Sequence, residues 1–267
     1  YTNVCAQYNL RWAAKFYRIL EEEGELIPLA NKLGLKEAEI KAFEEAADAM
    51  FLPYDKELGI NPQDDSFLSK AMWDIGKTPK DKFPLLLHYH PLYLYRHQVC
   101  KQADTVLSHF IFEDAQSLDT IKKSFAYYEK VTTHDSSLST CIFSIIASKL
   151  GLKEKAYDYF GNSAKIDLFD LHKNTKDGIH TANMGGNYMA IVYGFAGLRL
   201  KEDGLYFAPS LPSPWTRYAF NINYQASKIK VEVKEDKTIF TLLSGDEKPI
   251  KVYGKTYDLN DTIIVVK

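Results

Sequence analysis

The sequence predicts a mainly α-helical chain with a small antiparallel β tail, and three observations predict it. Up to about residue 204, apolar residues recur at helical spacing in segments joined by short turns. After Gly204 the apolar period falls from about 3.6 residues to two. Pro209, Pro212 and Pro214 punctuate the change of regime, so the expected division is 1–204 (helical) and 205–267 (an antiparallel β-domain).

The first helix is expected from Val4 to about Glu23, capped by Asn3 and stopped at Gly24, with Leu10, Ala14, Tyr17 and Leu20 near one face. A second is expected from Lys36 to Met50, where Ile40, Phe43, Ala47 and Met50 recur at helical spacing and the glutamates form a solvated face. Between Phe51 and Pro91 stand Pro53, Pro62, Pro79, Pro84 and Pro91, which predicts long loops with short elements; loops of that length commonly carry function. Further helices are expected at Val99–Phe112, Leu118–Tyr128, Ser137–Leu150, Lys153–Leu168 and Gly186–Leu200, joined by short turns as antiparallel hairpins. In the tail, Tyr218, Phe220, Ile222 and Tyr224 alternate with other residues, as do Ile229, Val231 and Val233. Strands are also expected at Thr238–Leu243, Ile250–Tyr253 and Thr262–Val266.

With 33 basic and 35 acidic side chains among 267 residues, the net charge of −2 supplies no electrostatic reason for nucleic acid or an anionic membrane as partner. Cys5, Cys100 and Cys141 are odd in number and widely spaced, which argues against a zinc site or a disulfide framework and for a reducing compartment. No signal-peptide pattern opens the chain and no apolar run is long enough to span a bilayer, so a cytoplasmic protein is expected. The opening Tyr1-Thr2-Asn3-Val4-Cys5 runs at once into a helical pattern and reads as an internal start.

Two polar stretches, Thr132-Thr133-His134-Asp135-Ser136-Ser137 and His180-Thr181-Ala182-Asn183-Met184-Gly185-Gly186, each stand before an expected helix. A helix start offers backbone N–H groups without intrahelical partners and a partial positive charge, which suits an anion such as phosphate. Ser136 and Ser137 add hydroxyl donors, and Gly185 and Gly186 would let backbone approach a ligand. A third polar group, Lys101-Gln102-Ala103-Asp104, could bond vicinal sugar hydroxyls, with Asp104 within reach of Lys101.

A Ser–His–Asp hydrolase is disfavoured because no Gly-x-Ser-x-Gly elbow exists and the three residue types are adjacent in sequence. A metal site at His88, His90 and His97 is disfavoured because no carboxylate completes it and Pro91 interrupts.

Together these residues resemble glycoside hydrolase family 65, the inverting disaccharide phosphorylases acting on maltose, trehalose, kojibiose or nigerose. The resemblance rests on Tyr1-Thr2-Asn3, Lys101-Gln102-Ala103-Asp104, Tyr128-Glu129 followed by His134-Asp135-Ser136-Ser137-Leu138-Ser139, and His180 to Gly186, in that order. It spans essentially the whole chain but only the C-terminal third of a family member.

The resemblance implies the C-terminal half of an (α/α)6 barrel followed by the β-domain. It implies inorganic phosphate at Ser136, Ser137 and His180, helped by backbone near Gly185 and Gly186, and a glucosyl unit at Lys101, Gln102 and Glu129, with His134 and Asn183 in supporting roles. Phosphate would be a co-substrate, with no cofactor and no metal. It would attack the anomeric carbon while a carboxylic acid protonates the departing oxygen, giving β-glucose 1-phosphate and a second sugar. In the family the general-acid Glu lies just before the Tyr-Thr-Asn stretch, so it is expected outside these residues and the isolated chain is expected to be inactive. A half barrel would expose apolar faces, so self-association or association with an N-terminal part is expected. The alternative is a non-catalytic carbohydrate-binding or scaffold protein derived from the same family.

Overall fold

The computed structural model describes residues 1–171 and 173–266, so Lys267, the last residue of the expected β-domain, lies outside the described residues. Helix α1 (Thr2–Glu22) ends near Gly24 and is followed by α2 (Leu26–Leu33) and α3 (Glu37–Asp48). Helix α2 was not expected from the sequence. Its Pro28 falls in the first turn, where a missing N–H removes no intrahelical bond. Gly34 closes α2 in the left-handed conformation (φ 66°), and Leu35 N–H returns to the Ala30 carbonyl at 2.9 Å.

Helices α1 and α3 lie antiparallel, tied by Asn3 Nδ2 to the Phe51 carbonyl (2.8 Å), Gln7 Nε2 to the Ala47 carbonyl (2.9 Å) and Arg18 to Glu44 (2.6 Å). From residue 51 the chain runs through short 3-10 turns, a two-residue strand β1 (Ala71–Met72), a short α4 (Pro91–Leu94) and β2 (His97–Gln98), which pairs parallel with β1. This long connection is pinned to the helices: Tyr128 Oη donates to the Asn61 carbonyl (2.8 Å), and Thr105 Oγ1 donates to Gln63 (2.9 Å).

Helices α5 (Asp104–Ile111), α6 (Leu118–Val131), α7 (Thr140–Lys149), α8 (Lys153–Ala164) and α9 (Thr181–Met189) follow. Helix α7 is buried from Thr140 through Ala147, as a helix apolar nearly all round must be. Helix α9 continues without a break into a π-helical turn, Ala190–Phe195, and the expected helix end at Leu200 is instead a strand. The wide turn brings Gly194 against Ile145 at 3.4 Å, measured from an added Cβ, and Ser148 Oγ donates to the Gly194 carbonyl (2.8 Å).

Contacts along the helices fix their directions. Tyr8 meets Phe112 (5.1 Å between rings), Lys15 meets Glu202 (2.6 Å), and Phe110 meets Tyr193 (5.6 Å), so α1, α5 and α9 advance together towards residue 200. Gly186 faces Cys141 and Gly194 faces Ile145, so α7 runs the same way. Helices α3, α6 and α8 return between them. This alternation of one set with an opposed second set is the expected portion of an (α/α)6 barrel.

The remaining strands are β3 (Arg199–Lys201), β4 (Gly204–Phe207), β5 (Arg217–Tyr224), β6 (Ser227–Lys234), β7 (Lys237–Ser244), β8 (Lys248–Val252), β9 (Lys255–Leu259) and β10 (Thr262–Val266). Among the described residues they form an antiparallel sheet, β10-β7-β6-β5, and a second sheet, β3-β4-β8-β9, antiparallel except for the β4–β8 pair. Ile229, Val231, Val233 and Phe240 bury their side chains from the first sheet, and Leu205, Phe207, Ile250 and Val252 from the second. Both join the core that contains α7, so helices and sheets share one apolar interior.

Candidate functional site

The residue groups singled out in the sequence lie at one end of the helical array: Lys101, Gln102, Ser136, Ser137 and His180 precede the co-directional helices α5, α7 and α9, Asn183, Gly185 and Gly186 lie inside α9, and Glu129 lies near the end of the opposed α6. Main-chain bonds join two of them. Cys100 N–H donates to the Val131 carbonyl (2.7 Å) and Thr133 N–H to the Cys100 carbonyl (2.9 Å), setting Lys101 and Gln102 beside the segment 133–137. Lys101 is exposed. Gln102 donates to Asp104 (3.2 Å) and lines a cleft of about 670 Å3 with Tyr1, Asn3, Gln63 and His109. Asp104 does not pair with Lys101 as the sequence spacing suggested. Lys101 lies outside α5, and the Asp104 carboxylate accepts instead from Gln63 (3.1 Å) and Gln102.

Helix α7 begins at Thr140, three residues later than expected, so Ser136 and Ser137 occupy the turn ahead of it. Ser136 Oγ accepts from Leu138 N–H at 3.3 Å. The hydroxyls of Thr132 and Thr140, both buried, have no hydrogen-bond partner, which is uncommon for polar atoms withdrawn from water.

His134 adopts a left-handed backbone (φ 57°), rare outside glycine. Its Nδ1 meets Ser139 Oγ at 2.8 Å, and its ring packs edge-on to Phe143 (4.7 Å) and near Tyr159 (5.4 Å). Burial pushes this imidazole down to about 4, partly offset by the charge of Glu129. The hydroxyl that meets His134 is thus the fully buried Ser139, not Ser136 or Ser137, which speaks against the hydrolase arrangement. Glu129 is engaged by Lys155 Nζ (2.6 Å to each oxygen) and by Tyr159 Oη (3.0 Å).

His180 occupies the N-cap position of α9 without a side-chain cap bond, and the side chain that orients it, Asp167, was not foreseen from the sequence. The Asp167 carboxylate receives both the His180 backbone N–H (2.9 Å) and Nδ1 (2.5 Å), while Asn174 Nδ2 lies 3.2 Å from Nε2. Asn183 is fully buried: its Nδ2 donates to the Ser163 carbonyl (2.8 Å) and its Oδ1 accepts from Ser163 Oγ (2.6 Å), which fastens α9 to α8.

The two glycines lie inside α9 rather than before the helix, so their N–H groups sit where helical i to i−4 bonding claims them. Gly186 is the contact between α9 and α7, since a Cβ there would stand 2.6 Å from Cys141 Sγ; a Cβ on Gly185 would meet nothing within 4 Å. At the start of α9, Thr181 N–H donates to the Ile179 carbonyl (3.1 Å) and Asn183 N–H to the His180 carbonyl (2.9 Å).

No group of three His, Cys, Asp or Glu residues among the described residues is placed to hold a metal ion. His90 caps α4 by accepting from Leu92 N–H (3.2 Å), and His97 Nδ1 lies 2.9 Å from the Tyr93 carbonyl. No described helix is long and apolar enough to cross a membrane.

Sequence and structure comparisons agree with this architecture. Residues 1–189 match the glycosyl hydrolase family 65 central catalytic domain, and residues 198–259 match the family 65 C-terminal domain. The chain is 57% identical to the alpha,alpha-trehalose phosphorylase of Geobacillus stearothermophilus over 261 residues, which is 97% of this chain and 34% of that protein. It is 33% identical to the maltose phosphorylase of Bacillus subtilis (strain 168) over 95% of this chain and 33% of the relative. A solved structure of a candidate kojibiose phosphorylase from the human microbiome superposes with a TM-score of 0.90 at 32% identity, over 100% of this chain and 39% of the other. The chain therefore spans about a third of the length of the curated relatives it matches. On the match of its central domain, its sheet region and its superposition, the chain belongs to glycosyl hydrolase family 65.

Proposed function

We propose that this chain supplies the phosphate-binding face and part of the glucosyl site for inverting phosphorolysis of a disaccharide. The observation that carries the reading is the gathering of the polar groups at the starts of co-directional helices, with the Thr132 and Thr140 hydroxyls left unpaired there. In this reading Ser136 and Ser137 donate hydroxyls to phosphate, and the N-terminal N–H groups of α7 and α9 add partial positive charge. Gly185 and Gly186 contribute by keeping α9 close and unobstructed. His180 contributes its imidazole to the phosphate face, its ring oriented by Asp167 at Nδ1 and by Asn174 at Nε2. Lys101, Gln102 and Glu129 hold the glucosyl unit, with His134 and Asn183 stiffening the wall behind them.

Phosphate is already a nucleophilic anion and needs no general base. The departing oxygen does need a proton, and we assign that step to a carboxylic acid outside these residues. Asp104, Glu129, Asp135 and Asp167 are each engaged in the contacts that shape the wall. The relative at 57% identity is an alpha,alpha-trehalose phosphorylase, which makes α,α-trehalose the disaccharide to test first. Tyr8, Phe16, Met184 and Tyr188 are exposed on α1 and α9, and we propose that further polypeptide or a second copy covers them.

The test is phosphate titration of the purified chain by calorimetry, with trehalose and phosphate then incubated and assayed for β-glucose 1-phosphate. Binding should weaken about tenfold or more in Ser137→Ala, since hydrogen bonds to charged groups are worth about 1.5–3 kcal/mol. Absence of phosphate binding would sink the phosphate assignment. Production of β-glucose 1-phosphate by this chain alone would sink the placement of the acid elsewhere.

A further inference from the structure

Asp135 stands in sequence between His134 and two candidate phosphate ligands, Ser136 and Ser137, and its carboxylate accepts from a distant segment. The left-handed backbone at His134, held by the Nδ1–Ser139 contact and by the rings of Phe143 and Tyr159, redirects the chain at this point. Asp135 Oδ2 accepts the N–H of Leu85 at 2.8 Å, fifty residues away in the sequence. Leu85 opens the 3-10 turn Leu85–Leu87, where an N–H has no partner within the turn, and its side chain is buried. Within and just past the turn, Leu86, Leu87 and His88 are exposed, and Tyr89 packs edge-on to Trp73 (4.9 Å), which in turn meets His97 (5.2 Å). The segment Leu85–Tyr89 is thus held at its front by Asp135 and behind by an aromatic group that leads through β2 to Cys100, the residue bonded to the main chain of 131–133.

A carboxylate next to Ser136 would repel a phosphate if it swung inward. Its engagement with Leu85 commits that carboxylate to a backbone N–H and ties the turn that carries Ser136 and Ser137 to it.

We infer that Asp135 is a positioning residue that couples the Ser136–Ser137 turn to the Leu85–Tyr89 segment, so that phosphate binding and the order of that segment reinforce each other. The inference rests on the phosphate reading above. Coupling of this kind is reciprocal: if the tether raises phosphate affinity, phosphate must protect the tether by the same factor.

The experiment compares the wild-type chain with Asp135→Asn and Asp135→Ala, reading amide hydrogen exchange at residues 85–87 and phosphate affinity by calorimetry. Circular dichroism confirms that each variant is folded. Asparagine keeps an acceptor oxygen for Leu85 N–H, so D135N should retain both slow exchange at 85–87 and phosphate affinity. Alanine should speed exchange there about tenfold without ligand and lower phosphate affinity about tenfold, the loss of one hydrogen bond to a charged group. In wild type and D135N, added inorganic phosphate should slow exchange at 85–87 further; in D135A it should not. A purely structural role would leave the exchange of 85–87 insensitive to phosphate in every variant, and that result overturns the coupling. Unchanged exchange at 85–87 in D135A overturns the tether itself. If the wild-type chain binds no phosphate, the phosphate reading and the coupling both fall, and ligand-free exchange in D135A still decides the tether.

Discussion

Replacing Gly185 and Gly186 with alanine, one at a time, should shift stability in opposite directions. Both residues lie in the interior of α9, where glycine costs about 0.5–1 kcal/mol relative to alanine. At Gly185 an added Cβ meets no atom within 4 Å, so G185A should gain that amount. At Gly186 the same atom would stand 2.6 Å from Cys141 Sγ and 3.0 Å from Cys141 Cβ. Sγ can rotate, but Cys141 is 3% exposed and its Cβ is fixed to the backbone of α7, so the helices must separate. Overpacking of this kind costs about 1–3 kcal/mol, which leaves a net loss of up to about 2.5 kcal/mol after the helical gain. Urea unfolding followed by circular dichroism measures both.

Adding Cys141→Ala to G186A removes the nearest atom and should restore about 1 kcal/mol beyond additivity, the coupling expected of residues in contact. Because His180 rides on α9 and Ser136 precedes α7, G186A should also weaken phosphate binding. Equal stabilities for G185A and G186A, or an additive double variant, would refute the assignment of Gly186 as the contact between α7 and α9.

Acid should destabilise the chain through two buried imidazoles. Burial pushes His134 and His109 down to about 4 from 6.5, so between those values the unfolded chain binds more protons than the folded one. Stability therefore rises with pH across that window, is fully present above about 6.5, and is lost as pH falls towards 4, with a slope of up to about 1.4 kcal/mol per pH unit for each ring. His109→Gln, which can still bond Asn61, should remove one such increment from the slope; an unaltered slope would contradict the burial argument. Separately, Glu113 pairs with Arg199 (2.7 Å) and Lys149 (3.0 Å) where the helices meet β3, and its side chain is only 10% exposed. Glu113→Ala should cost about 3 kcal/mol in urea unfolding, because it removes the carboxylate partner of a guanidinium only 14% exposed. A loss below about 0.5 kcal/mol would mean that the Tyr193 and Leu198 carbonyls satisfy Arg199 alone.

Much of this fold is legible in local patterns. Helices α6, α7 and α8 follow from apolar spacing and from stops such as Gly151, β5 and β6 follow from alternation, and β7 and β10 from apolar runs set off by turn residues such as Gly245-Asp246 and Asn260-Asp261. The elements that escaped have identifiable reasons. Helix α2 hides behind Pro28, which reads as a breaker unless its place in the first turn is known. Strand β4 is nearly all buried and so does not alternate, and the helix expected to reach Leu200 ends in a π-helical turn that no periodicity of 3.6 signals.

At the site, the residue types at the four helix starts can be read from the chain, because capping, helix polarity and glycine placement are local properties. Their partners cannot. Asp167 with His180, Lys155 and Tyr159 with Glu129, and Leu85 with Asp135 are separated by 13 to 50 residues, and no short-range spacing marks them.

Local sequence thus settled where helices give way to strands and which segments carry donors suited to an anion. Packing settled that α1, α5, α7 and α9 point the same way, that their starts share one end, and that Gly186 rather than Gly185 sets the gap between α9 and α7. Direction and distance between helices arise from side chains meeting across long stretches of chain, such as Tyr8 with Phe112 and Gly186 with Cys141, and those meetings exist only once the core has formed.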